Sequence, residues 1–309
     1  MKKNSRLLQL KQRLRPRWVK TLRQLVSSRL KLGRVTRRFG LKPVNGNPLK
    51  AIKTSDTLFI LGSGGSINTL TEDDWQRIRA ADSIGFNFWP LHDHIPTLYV
   101  TEVYGVPAGH EAVYQCYFDL MANRAEDYQA TPILIKDGER VTHEELTQYV
   151  GNFPANLRPN ISLAWDWEIP GRDEASFIHK LKTWEKYGLI TNEHVPLVRK
   201  NASIAYLILM GLRAGYRDIV LCGVDLNNNA YFYQLSEETL RQKGRQIPRY
   251  PESNASTTHI TEAPAATTLP ISRVLDIINR ELLQPRHIRL WVAQQSSKLY
   301  PMLPCYFGH

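Results

Sequence analysis

The stretch Thr57-Leu58-Phe59-Ile60-Leu61-Gly62-Ser63-Gly64-Gly65-Ser66-Ile67 decides how the rest of the chain is read. Leu58 to Leu61 form an uninterrupted apolar run between a polar residue and a glycine, the pattern of a short, fully buried strand. The Gly-Ser-Gly-Gly-Ser that follows permits a tight turn and lets a bulky group approach main-chain N–H groups without meeting a Cβ. Thr71-Glu72-Asp73-Asp74-Trp75 then opens a helix with acids in its first turn. Strand, glycine loop and helix in that order present a nucleotide or phosphate site at the carboxyl ends of an open α/β sheet. The same residues also suit a plain tight turn, and the motif alone does not choose between the two.

Two further blocks extend the pattern. Ser83-Ile84-Gly85-Phe86-Asn87-Phe88 ends where a dinucleotide-binding fold carries an Asp or Glu for the ribose. Asn87 holds that position and no acid adjoins it, which argues against an NAD enzyme or a methyltransferase. An amide donates and accepts, and so suits a ribose or a pyrimidine edge; a strand-end Asn that caps a turn is the alternative. Further on, Val198-Arg199-Lys200-Asn201-Ala202-Ser203 leads into an apolar helix closed by Gly215, followed by the buried strand Asp218-Ile219-Val220-Leu221-Cys222-Gly223-Val224-Asp225. Asn201 and Ser203 stand at the helix entry, placed to meet a carboxylate or phosphate or to serve as simple caps. Asp225-Leu226-Asn227 falls where many glycosyltransferases carry Asp-x-Asp for a metal, but it offers one carboxylate, so no metal site is expected.

The 309 residues carry a net charge of +11, which is unevenly distributed. Residues 1–50 hold 16 of the 40 Lys and Arg and no Asp or Glu, leaving 24 basic against 29 acidic residues in 51–309, a net of −5. In the basic part, Leu7, Leu10, Leu14, Trp18, Leu22 and Leu25 recur at helical spacing on one face. No apolar run approaches the ~20 residues that span a bilayer. A basic amphipathic helix fits the surface of an anionic membrane. A solvated arm and a mitochondrial transit peptide share its composition, whereas nucleic-acid binding is disfavoured because stacking aromatics are sparse there. Cys116, Cys222 and Cys305 have neither zinc nor disulfide spacing, which indicates a reducing compartment.

From residue 51 short apolar runs alternate with amphipathic stretches, the signature of a mostly parallel sheet covered by helices. Strands are expected at 57–61, 83–88, 97–101, 132–136, 218–223 and 288–293, and helices at 71–80, 108–123, 142–150, 174–187, 202–214 and 270–283. The division expected is a basic segment and linker over 1–50 and a nucleotide-sugar-binding domain over 51–309. Residues 104–200 read as an insertion shaping one wall of a cleft, and 226–258 as a polar lid. Within the insertion, Trp165-Asp166-Trp167 offers aromatic faces for a sugar or for packing. His92-Asp93-His94 has the look of a metal pair but lacks a third ligand at recognisable spacing. His259 emerges at the end of the lid and could act as a base near neutral pH, although a lone histidine is equally a structural residue.

Taken together, these blocks resemble the bacterial sialyltransferase family typified by the Campylobacter lipooligosaccharide enzymes. The family's Gly-Asn-Gly-Pro-Ser loop is similar to Gly62-Ser63-Gly64-Gly65-Ser66, and its Asn after the second strand to Asn87. Its Ser-Gly helix and Gly-Tyr-Lys-Glu-Ile-x-Leu-x-Gly-Ile-Asp strand are similar to Ser203 and to Gly215 through Asp225. Tyr233 and His259 match the family's lid tyrosine and catalytic histidine in spacing. Asn227 stands where the other lid tyrosine falls, with Tyr231 as a substitute; Ser63 and the displaced arginine are further departures.

The resemblance implies a Rossmann-like, GT-A-like variant of the α/β fold with a lid, covering about 57–300. It implies an inverting transferase that moves sialic acid or a related acidic sugar, Kdo or another nonulosonate, from its CMP donor to a cell-surface glycan such as lipopolysaccharide, capsule or glycolipid. His259 would be the base, with Tyr233 and Tyr231 on the leaving phosphate. Gly62 to Ser66, Asn87, Thr101, Asn201, Ser203, Asp225 and Asn227 would bind the donor. No cofactor beyond the activated donor is implied; a homo-oligomer is left open. Residues 1–40 would hold a cytoplasmic enzyme against the inner membrane face. A pterin diphosphokinase-like enzyme and a non-catalytic, membrane-recruited binding protein are the alternatives.

Overall fold

The computed structural model describes residues 17–42, 47–103, 111–137, 141–192, 197–227, 230–249, 259, 261–262 and 269–308, without the side chains of 17–25. The strands are β1 (Thr57–Leu61), β2 (Asp82–Phe86), β3 (Leu98–Val103), β4 (Ile133–Asp137), β5 (Ile161–Glu168), β6 (Leu197–Arg199), β7 (Asp218–Cys222) and β8 (Arg289–Val292). They form one sheet in the order β6-β5-β4-β3-β2-β1-β7-β8. Every pairing in it is parallel. The helices are α1 (Arg17–Phe39), α2 (Pro48–Ile52), α3 (Glu72–Arg79), α4 (Glu111–Asn123), α5 (His143–Gly151), α6 (Glu174–Lys186), α7 (Ser203–Ala214), α8 (Phe232–Leu235), α9 (Glu237–Gln242) and α10 (Ile271–Ile278).

The alternation of a strand's side chains divides the core between two faces. Leu58 and Ile60 join Ile84, Val100, Ile219 and the apolar residues of α7 and α10. Phe59 and Leu61 point the other way and join Tyr99, Ile135, Val220 and residues of α4 and α5. A sheet covered on both faces has no need of polar residues within its central strands, which is why the run at 57–61 was legible. At the start of α3, Thr71 and Asp74 cap each other reciprocally, the Asp74 N–H donating to Thr71 Oγ1 at 3.2 Å; this satisfies donors that a helix N-terminus leaves open.

Two boundaries drawn from the sequence are corrected. Residues 104–200 are not an insertion, because they supply β4, β5 and β6 of the same sheet. In β5 the apolar Ile161, Leu163 and Trp165 alternate with Ser162, Ala164 and Asp166 near the sheet's edge. Alternation of that kind lacks the continuous apolar run of a central parallel strand. The basic segment is likewise not separate. Val35 is 0% exposed and Lys31 Nζ lies 2.6 Å from the buried Asp137 carboxylate. Lys42 N–H donates to Ile161 O at 3.1 Å, and the Arg158 guanidinium covers the Phe39 ring. The later half of α1 thus belongs to the body, as does Asn47, whose amide donates to Met210 O at 2.7 Å. Leu7, Leu10, Leu14 and the linker at 43–46 lie outside the described residues. No described helix is long and apolar enough to cross a membrane.

Candidate active site

The strand order reverses direction at β1: the chain steps outward from β1 to β6, then returns to place β7 on β1's other side. The carboxyl ends of β1 and β7 therefore lie at the point where open α/β folds place their ligands. Gly62 N–H donates to Cys222 O at 2.8 Å and Gly64 N–H to Gly223 O at 2.9 Å. Ser66 donates to Asp225 from both its N–H, at 3.0 Å, and its hydroxyl. A Cβ on Gly64 would lie 2.6 Å from Asp225 Oδ2, and one on Gly62 would lie 2.6 Å from Gly223 O. These glycines thus let two strand-end loops touch, and the N–H groups of Gly62 and Gly64 serve that contact and not a phosphate cradle.

The segment at 230–235 closes on the same loop. Phe232 N–H donates to Ser63 O at 2.9 Å, and Leu235 lies against the Gly65 Cα. The rings of Tyr231 and Tyr233 stack at 5.1 Å and 14°. Tyr231 is half-buried, and burial raises the pKa of its hydroxyl. Tyr233 is only 2% exposed, wedged beside Phe88 and Phe232. His259 N–H reaches Leu226 O, and its Nδ1 sits 2.8 Å from Thr261 Oγ1 and 3.3 Å from Thr261 N. Burial lowers its pKa below 6.5, against the pull of the Glu262 and Asp225 carboxylates, so the ring is neutral at pH 7. Glu262 itself accepts from Ser272 N–H and Oγ and pairs with Lys298 at 3.1 Å, capping α10.

Non-glycine residues with positive φ recur at this edge. Asn87 after β2 has φ 55°, Asn201 after β6 has φ 59° and Leu226 after β7 has φ 61°. Asn tolerates that region, but leucine seldom enters it without cost. Asn87 is held by main-chain bonds to Val100 O and from the Tyr99 hydroxyl. Its half-buried side-chain amide is bonded by none of the described residues.

Other residues expected at the site are placed differently. Thr101 is 3% exposed, its hydroxyl 2.7 Å from Tyr149 Oη within a buried tyrosine cluster. Asn201 turns its amide to Leu269 O, and Asn227 donates to Ser296 O at 2.8 Å. Ser203 donates to Glu102 Oε1 at 2.5 Å. His92-Asp93-His94 lies apart, lining a groove of about 620 Å³ with Trp75, Arg79 and Ser83 at the amino end of β2. The His92 ring lies 4.6 Å from the Trp75 ring and 4.7 Å from the Trp89 ring. Burial drives His92 down to about 3 and His94 to about 4.

Sequence reasoning missed a row of buried charges at the carboxyl ends of β3 to β6. Lys136 Nζ lies 3.2 Å from Glu102 and 2.8 Å from Asp166, while Arg199 Nε approaches Asp166 at 2.5 Å as an ion pair, without hydrogen-bond alignment. Arg199 also meets Glu168 at 3.5 Å, and Lys200 meets Glu168 at 3.6 Å and Gly171 O at 2.7 Å. The signal was present in Ile133-Leu134-Ile135-Lys136-Asp137: charges closing a buried strand need partners.

Among solved structures, the sialyltransferase CstII from Campylobacter jejuni, in complex with a substrate analogue, cytidine-5'-monophosphate, overlaps 81% of this chain and 84% of its own, with 14% sequence identity and a TM-score of 0.42. At that TM-score the overlap transfers no residue's role to this chain. No protein-family model matches the sequence, and no curated protein does.

Proposed function

We propose that this chain is an inverting glycosyltransferase that moves an acidic sugar, sialic acid or Kdo-like, from its CMP donor to a cell-surface glycan. The carrying observation is the convergence of the Gly62–Ser66 loop, Asp225, Tyr231 and His259 at the reversal of strand order. Nucleotide departure from such a donor needs charge stabilisation, and the acceptor hydroxyl needs a base. His259 is neutral at pH 7. Its Nδ1 accepts from Thr261 N–H at 3.3 Å and lies 2.8 Å from Thr261 Oγ1; action as the base at Nε2 requires the other tautomer, with Nδ1–H turned to Thr261 Oγ1. The Tyr231 hydroxyl, protonated at neutral pH, serves the leaving phosphate; Tyr233, being buried, supports its ring. Asn87 supplies the amide for ribose or cytosine. Both Asp225 oxygens accept from Ser66, so the carboxylate acts to hold the loop.

The described part of α1 exposes Val26 and Leu30 beside Arg29, Arg34, Arg37 and Arg38. An apolar and cationic helix surface suits an anionic membrane face, where lipid-linked acceptors are made. The test is CMP release from CMP-N-acetylneuraminic acid or CMP-Kdo with a glycan acceptor, with and without EDTA. Release that persists in EDTA supports the reading. No CMP release, with magnesium-dependent release of AMP from ATP, would favour the diphosphokinase alternative.

A further inference from the structure

His259 meets one described neighbour at Nδ1, and that neighbour offers two groups. Thr261 N–H lies 3.3 Å away and can only donate, whereas the Thr261 hydroxyl lies 2.8 Å away and can donate or accept. Thr261 is held in turn by the start of α10, its carbonyl accepting from Ile271 N–H at 3.1 Å. Glu262 N–H donates to His259 O at 2.8 Å, and the Glu262 carboxylate accepts from Ser272 N–H at 3.0 Å. The turn that brings the hydroxyl to the ring is thus fixed to the helix behind it.

We propose that the Thr261 hydroxyl positions His259 for proton transfer by turning from donor to acceptor at Nδ1; this rests on the CMP-sugar reading above. With the ring proton on Nε2, Nδ1 accepts from Thr261 and Nε2 cannot act as a base. With the proton on Nδ1, Thr261 N–H is no partner, and the hydroxyl oxygen is the acceptor at that nitrogen among the described residues. A hydroxyl makes this exchange by rotating its hydrogen, with no movement of heavy atoms. When Nε2 takes the proton of the glycan hydroxyl, the ring becomes imidazolium and Nδ1–H still donates to Thr261 Oγ1. The glycan oxygen keeps the electron pair and bonds the anomeric carbon, while the pair of the broken sugar–phosphate bond leaves with CMP. Glu262 and Asp225 favour the charged ring and burial opposes it, with Lys298 3.1 Å from Glu262. To these the hydroxyl adds an acceptor within bonding distance, and hydrogen bonds to an ionised group are the strong ones.

The test is an NMR titration of the His259 ring in the full chain, its signals identified by their loss in His259→Ala. Thr261→Val keeps the side chain's shape and the main-chain N–H but removes the hydroxyl. The imidazolium then lacks its acceptor, so the proton affinity of His259 should fall about tenfold and its midpoint should move to lower pH. Turnover with CMP-N-acetylneuraminic acid should fall about tenfold on the neutral plateau, its acid limb displaced to lower pH and CMP affinity unchanged. Thr261→Ser should restore both. An unchanged midpoint in a folded Thr261→Val protein overturns the proposal, as does an undiminished plateau rate. If Thr261→Val fails to fold, the wild type decides: below the midpoint, Nδ1–H should show an Overhauser effect to Thr261 Hβ, and its absence overturns the proposal. Failure of every CMP donor to release CMP removes the CMP-sugar reading and the catalytic use of the ring with it; the midpoint comparison tells that outcome apart from failure of the Thr261 contact.

Discussion

At the scale of single residues, His259 carries the sharpest commitment. Its pKa lies below 6.5, because burial disfavours the imidazolium more than Glu262 and Asp225 favour it. A base must be unprotonated, so turnover should hold through neutral pH and fall as pH drops through that lowered pKa. Loss of a general base costs about 10²–10⁴ in rate, and His259→Ala should lower kcat by that order with CMP affinity little changed. A folded His259→Ala protein with near-normal transfer would exclude it as the base. Glu262 is no substitute, since α10 and Lys298 engage it, and His92 and His94 face a groove at the opposite end of β2. His259 could be nominated from its place after a polar stretch, whereas Glu102 and Asp166 could not. Their meaning comes from Lys136 and Arg199, which sequence separates from them and the parallel sheet brings together.

Among the elements, α1 shows most plainly what composition hides. Its absence of acids marked it as a tail, yet Val35, Lys31 and Phe39 fasten its later half to α5 and β5. A helix rich in cations can still bury apolar side chains such as Val35, and the long stems of Lys and Arg pack along apolar surface. Removal of residues 1–25 should therefore leave melting unchanged while weakening binding to anionic vesicles, more so as salt rises. Removal of 1–45 strips Val35 and Leu41 from the core, at roughly 1.5–3 kcal/mol for each apolar side chain, and leaves Asp137 buried without Lys31. That protein should melt several degrees lower or fail to fold. Equal melting temperatures for the two truncations would contradict the docking. Within the sheet, β1, β4 and β7 were legible because central parallel strands are unbroken apolar runs; β5 and the three-residue β6 were not, being alternating or too short.

On the scale of the whole molecule, the fold class was readable because strand and helix patterns alternate from residue 51 onward, and the loop after β1 pointed to the edge where the candidate site lies. What the sequence could not supply was strand order. The reversal between β1 and β7 puts Asp225 against Ser66, although 159 residues separate them, and it assigns the loop glycines to backbone contact. On the CMP reading, the nucleotide would then be held by what remains open at that edge, and Asn87 is a residue there whose amide is bonded by none of the described residues. The most direct measurement is calorimetric titration of CMP into the full chain and into Asn87→Gly, which tolerates the positive φ and removes the side chain with its amide. One-site binding of CMP in preference to UDP and ATP, weakened about tenfold or roughly 1.4 kcal/mol in Asn87→Gly, is the expected result. CMP that binds no better than the other nucleotides, or binds equally to a folded Asn87→Gly protein, would contradict the account.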